Sequence, residues 1–145
     1  MTADLPTEGR LLAVDVGEKR IGLAVSDPSQ TLAQPLATLT RRAGRRFPLR
    51  QLREHLDAQQ PVGVVVGLPL TPEGAEDERA AQARAVGDLI TEKSGLPVQY
   101  WDERMSTARA LGAIKEMGGS TRGRKGDVDR LAATVILQHF LDSRR

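Results

Sequence analysis

The acidic side chains placed where they could do chemistry are Asp15 in LLAVDVGEKRIGLAVSD, the adjacent Asp102 and Glu103 in WDERM, and Asp127 and Asp129 in KGDVDRLAATVILQHFL. Asp15 ends an apolar run and is followed two residues later by Gly17. An acid there is costly unless something pairs with it, and a neighbouring glycine lets another group come close. It is a candidate cation ligand, with simple capping of the turn as the plainer alternative. Carboxylates from separate segments gathered at one edge, with no His or Cys beside them, repel one another unless a cation sits between them. All-oxygen donors suit Mg²⁺ or Mn²⁺ rather than Zn²⁺. In phosphodiester hydrolysis two such ions roughly 3.5–4 Å apart activate water and stabilise the leaving oxygen, and the carboxylates then act as ligands rather than nucleophiles.

The elements that must bring these acids together can be read in order. Leu11 to Val16 and Ile21 to Val25 form a hairpin closed through Gly17-Glu18-Lys19-Arg20, and Gln34 to Leu39 is a third, weaker strand of the same meander. Phe47, Leu49, Leu52 and Leu56 mark an amphipathic helix stopped by Gln59-Gln60-Pro61. The continuous apolar run VGVVVGL at 62–68 has the pattern of a strand buried on both faces. Glu76, Asp77 and Glu78 form the acidic first turn of a helix closed by Gly95, and Pro97 to Trp101 is a last short strand. Ser106 or Thr107 caps a helix running to Met117. Asp127 to Leu141 makes a final one, with Val128, Leu131, Ala132, Val135, Ile136 and Phe140 on its apolar stripe. Right-handed crossovers turn this order into an α/β fold with a five-stranded mixed sheet, order 3-2-1-4-5, and helices on both faces. Sites in such sheets collect at the carboxyl ends of the parallel strands, where Asp15, the Gly67-Leu68-Pro69 turn and Asp102-Glu103 converge. The final helix needs only to pack beside the first strand to add another carboxylate.

At 145 residues the chain is expected to be one domain, with residues 1–9 a flexible N-terminal extension. The absence of cysteine excludes disulfides, thiolate metal sites and cysteine nucleophiles. There is no membrane-length apolar run and no apolar signal-peptide core in MTADLPTEGR, so a cytoplasmic protein is expected. Net charge is only +2, but the basic residues are clustered at Arg41, Arg42, Arg45, Arg46, Arg50 and Arg53 and again at Arg122, Arg124 and Lys125. Clustered cations flanking an acidic site suit a phosphate backbone, through salt-dependent, sequence-independent contacts. Aromatic residues make up 3%, too few for a base-stacking surface, and Tyr100 and Trp101 are read as packing residues. His55 and His139 lie in helices with no partner in view.

LLAVDVGEKRIGLAVSD, VVVGLPLTPEG, WDERMSTARA and KGDVDRLAATVILQHFL resemble, in order, the four signature blocks of the YqgF family, also called RuvX, of ribonuclease-H-like nucleases. The resemblance spans roughly residues 10 to 141. It implies a ribonuclease-H-like fold, a divalent-metal site, and either of two roles: maturing the 5′ end of pre-16S ribosomal RNA, or resolving Holliday junctions. Position by position, Asp15 matches the first-strand acid, Glu103 the acid of the DER block and Asp129 the acid of the final helix. Spacing alone leaves open whether Asp102 or Glu103 faces Asp15, since neighbours in an extended segment point to opposite faces; the family pattern favours Glu103. Asp127 reads as an acid favoured by the helix dipole.

Lys19, Arg20, Arg104, Arg122, Arg124 and Lys125 are the candidate nucleic-acid contacts, with structured RNA or branched DNA as partner and a monomer or homodimer as the working state. The expectation is a metal-dependent nuclease, most directly one that processes the 5′ end of pre-16S rRNA. A Holliday junction resolvase and a non-catalytic nucleic-acid-binding module are the alternatives. The ATPase and sugar-kinase group shares the strand-acid-glycine hairpin but needs two lobes to enclose a nucleotide, and 145 residues hold one.

Overall fold

Two aliphatic runs form the centre of the sheet. In the computed structural model, which describes residues 4–41, 46–105 and 125–144, with the backbone alone for Met105 and residues 125–129, β1 (Leu11–Val16) and β4 (Gly63–Leu68) run parallel side by side. β2 (Arg20–Ser26) pairs antiparallel with β1, β3 (Ala33–Thr40) antiparallel with β2, and β5 (Val98–Asp102) parallel with β4. The resulting order, β3-β2-β1-β4-β5, is the one expected from the meander and crossovers. All of β4 is buried, as its unbroken apolar sequence requires. Pro35 falls on the edge strand β3, beside a register shift in β2 at Leu23/Ala24, where a missing N–H does no harm.

The three described helices are α1 (Leu49–Gln59), α2 (Glu78–Ser94) and α3 (Lys125–Ser143). Alternation along the strands sorts the core into two layers. Leu12, Val14, Val64, Val66 and Leu68 pack with Leu52 and Leu56 of α1 and with Ala80, Ala83, Val86 and Ile90 of α2. Leu11, Ala13, Ala24 and Val65 pack on the other face with Ala132, Ala133, Ile136, Leu137, Phe140 and Leu141 of α3.

α2 begins only at the last residue of its acidic cluster, Glu78. Asp77 is the N-cap, accepting from the N–H groups of Arg79 (3.0 Å) and Ala80 (3.4 Å), while Glu76 instead pairs with Arg84 at 2.6 Å. Gly95 closes the helix in the left-handed conformation, φ 75°. α3 is longer than the sequence indicated, and its stripe is rotated: Leu131 is 45% exposed, and Ala133 and Leu137 take the buried positions. The helix expected over 106–117 lies outside the described residues.

Of the segment 1–9, expected to be a flexible extension, the described residues 4–9 are tied to the rest of the chain. Leu5 is only 4% exposed and packs under α3. Gln30 donates to the carbonyls of Pro6 and Gly9, both at 2.9 Å, and Arg144 donates to the Leu5 carbonyl at 2.8 Å while its guanidinium stacks on Phe140. The tie comes from residues far along the chain, which local composition does not reveal. Leu5→Ala is expected to lose about 2–3 kcal/mol of stability in equilibrium denaturation, as for other buried leucines; a loose extension would show no change.

Candidate active site

Asp15 is the last but one residue of β1 and shares its side of the strand with Leu11 and Ala13, the residues packed against α3. The turn after it is tight: Gly17 N donates to Arg20 O at 3.0 Å, and a Cβ on Gly17 would fall onto that carbonyl. Arg41, at the end of β3, braces this turn by donating from Nε to Gly17 O (3.1 Å) and from its backbone N to Lys19 O (2.9 Å). One arginine of the first basic cluster is therefore structural. Arg53 is another, donating to Lys93 O at the end of α2 (2.8 Å). Arg42 and Arg45 lie outside the described residues. Lys19 is exposed and Arg20 half-buried on the turn itself.

β5 delivers the second acid. The register pairs Gly67 with Trp101 and Leu68 with Asp102, and the chain leaves β5 in a single 3₁₀ turn, Glu103–Met105. Glu103 returns over Gly67, where a Cβ would strike its Oε1 and lie 2.9 Å from Ile136 Cδ1 of α3. There Glu103 shares a side-chain hydrogen bond with Asp15. Burial, followed by the charge of Asp15, pushes the Glu103 carboxyl up to about 9, while the Arg79 cation pulls it down. At neutral pH the pair therefore holds a proton between two carboxylates.

Asp102 points the other way. Its carboxylate receives Arg104 from Nε (3.2 Å to each oxygen) and Nη2 (2.9 Å), and from the Arg104 backbone N (2.9 Å). The Arg104 guanidinium holds the Asp102 carboxyl below the usual carboxylate range. Arg104 Nη1 also donates to Pro72 O at 3.2 Å, and the guanidinium lies over Gly74. Of the adjacent acids, then, Glu103 meets Asp15 and Asp102 anchors the loop after β4. Trp101, on the same side as Glu103, packs edge-on against Phe140 at 6.0 Å.

Asp129 precedes Ala133 by four residues and Ile136 by seven, which is the register of the sheet-facing stripe of α3. The side chains of Asp127, Asp129 and Lys125 lie outside the described residues, as do Arg122 and Arg124. Among the described residues no three His, Asp or Glu side chains form a metal-sized cluster; Asp15 and Glu103 form a pair. Sequence reasoning missed Arg79. Its only signal was a basic residue in the first turn of a helix starting at the site's edge of the sheet. Gly67 was read as a turn former and is instead the floor under Glu103.

Residues 9–143 match the family profile described as "RuvX: Holliday junction resolvase". A protein of Koribacter versatilis named "Putative pre-16S rRNA nuclease" is 42% identical over 136 residues, covering 94% of this chain and 88% of its own. One of the same name from Paramagnetospirillum magneticum is 38% identical over 144 residues, covering 99% and 92%. Among solved structures, T. thermophilus RuvC in complex with a Holliday junction substrate superposes with a TM-score of 0.55 at 19% identity, covering 94% of this chain and 95% of its own, a likeness of ribonuclease-H-like fold. With the profile spanning nearly the whole chain and relatives near 40% identity, the chain belongs to the RuvX family of nucleases.

Proposed function

We propose that this chain is a divalent-metal-dependent nuclease of the cytoplasm that processes the 5′ end of pre-16S rRNA. The observation that carries the reading is the Asp15–Glu103 pair: two carboxylates in hydrogen-bond contact at the carboxyl edge of parallel strands, one of them keeping a proton at neutral pH. A hard cation fits this donor set. Both donors are carboxylate oxygens, and a cation that displaces the shared proton offsets the burial and the Asp15 charge that together raised the Glu103 pKa. Asp15, Glu103 and, from α3, Asp129 are the residues to hold Mg²⁺ or Mn²⁺. When bound, such an ion supplies an activated water and stabilises the leaving oxygen. Glu103 gives up its proton in the active form, and Gly67 and Ile136 keep its carboxyl turned toward Asp15. Lys19 and Arg20 on the hairpin turn, with Arg122, Arg124 and Lys125 before and at the start of α3, contact flanking phosphates.

Resolution of branched DNA is a second reading, favoured by the family profile's own description. The test offers the purified protein a pre-16S RNA fragment and a four-way DNA junction side by side with Mn²⁺ and maps the cuts. The expected result is cleavage of the RNA near the mature 5′ end, lost on chelation. Symmetric cuts in the junction with none in the RNA reverse the order of the two readings, and no turnover of either removes both.

A further inference from the structure

The carboxyl edge of the sheet carries two arginines close to Glu103, and they differ in what their guanidinium groups are doing. All three guanidinium nitrogens of Arg104 are engaged, Nε and Nη2 on Asp102 and Nη1 on Pro72 O. A bidentate pair plus a backbone carbonyl leaves that cation little capacity for another anion, and swinging it out would unpair Asp102. The loop it holds is braced from within as well. Gly74 N donates to Thr71 O (2.8 Å), Thr71 N to Ala75 O (2.9 Å), Ala75 N to Thr71 Oγ1 (3.1 Å), and Leu70 bridges to Glu76.

This rigid loop leads directly to the N-cap Asp77 and the first turn of α2. Ala80 is fully buried there, and the preceding residue, Arg79, is exposed in the same first turn. Its backbone N–H is used by the cap, whereas among the described residues its guanidinium has no hydrogen bond or ion pair. It is near enough for its charge to act on the Glu103 carboxyl. A cation that has no partner among the described residues, beside paired carboxylates and on the positive end of a helix, is suited to an anion that approaches the acids.

Resting on the nuclease reading above, we propose that Arg79 is the side chain that grips the phosphate at this edge, and that Arg104 is a positioning residue which fixes the loop and Glu103 without touching substrate. The arginine assigned to substrate thus shifts from the DER block to the start of α2.

The test measures pre-16S RNA cleavage with Mn²⁺, RNA binding as a function of salt, half-saturating Mn²⁺ and thermal midpoint for Arg79→Ala, Arg79→Lys, Arg104→Ala, Arg104→Lys and Asp15→Asn. Arg79→Ala is expected to lower kcat/KM about 10²-fold and to reduce the salt slope of binding by about one, with the thermal midpoint unchanged. Arg79→Lys recovers part of the loss because the charge remains. Arg104→Ala is expected to lower the thermal midpoint and kcat and to raise half-saturating Mn²⁺ with the salt slope unchanged. Arg104→Lys fails to rescue it, since an ammonium cannot reproduce the bidentate pair. Arg79→Ala with wild-type kcat/KM and salt slope overturns the proposal, as does a reduced salt slope in Arg104→Ala at unchanged stability. Cleavage by Asp15→Asn equal to wild type sinks the nuclease reading instead, and the binding slopes still judge Arg79.

Discussion

Asp15→Asn is expected to lower cleavage by at least ~10³-fold and at the same time to make the metal-free protein more stable than wild type. The two effects have one origin. In wild type, Asp15 and Glu103 are held in contact with Glu103 largely buried, so the second negative charge is resisted and Glu103 retains its proton up to about 9. An amide at position 15 keeps a hydrogen-bonding group of the same shape, removes the repulsion and removes a ligand. The stability gain at pH 8 without metal is expected to be about 1–2 kcal/mol, a rise of several degrees in thermal midpoint for a chain of this size.

The pH dependence follows from the direction of the shift. The model value for Glu103 is 4.5 and its folded value about 9, so below 4.5 both folded and unfolded chains carry the proton and the pair costs nothing. Between those values the folded state binds the proton that the unfolded chain has released, so stability falls as pH rises. Above the folded value the full cost is present. The thermal midpoint of metal-free wild type should therefore decline from pH 5 to 9 more steeply than that of Asp15→Asn. Adding Mn²⁺ should reverse the ranking, because an ion bound only by the folded state stabilises wild type by mass action and has lost a ligand in the variant. Equal pH slopes for the two proteins, or equal Mn²⁺-induced shifts, would remove the carboxylate pair as the origin of both effects.

What could be read in advance was whatever repeats along a strand or helix. The unbroken run at 62–68 announced a buried strand, and the structure buries every residue of β4. Gly95 and Pro61 marked helix ends because their backbone preferences act locally. The site was only half legible. Alternation said that Asp102 and Glu103 diverge, but which of them meets Asp15 depends on the parallel register, Val14 to Val66 to Tyr100, which joins three segments far apart in sequence. Arg104 looked like a substrate contact because it sits beside two acids. Its partners turn out to be the acid two residues earlier and a carbonyl 32 residues away, and no local pattern announces the second. Leu5 was passed over for the same reason, since its neighbours belong to β4 and α3.

Gly67→Ala probes the same pair from beneath. β4 is hydrogen-bonded to β1 on one side and β5 on the other, so its backbone has no room to retreat. The new methyl would occupy the space of Glu103 Oε1 and press on Ile136 Cδ1 at 2.9 Å, and the group able to yield is the Glu103 carboxyl. Because it yields, stability should drop by only about 1–2 kcal/mol. Displacement of a reacting-site group by an ångström should cost kcat about 10²-fold, with half-saturating Mn²⁺ raised and KM for RNA little altered. Gly87→Ala is the matched control. Its methyl would crowd Tyr100, with Cζ at 2.8 Å, on the opposite face of the sheet, so it should lower stability and leave kcat intact. Gly67→Ala with wild-type kcat, or Gly87→Ala with an equal loss, would mean that the position of Glu103 over Gly67 does not govern the chemistry.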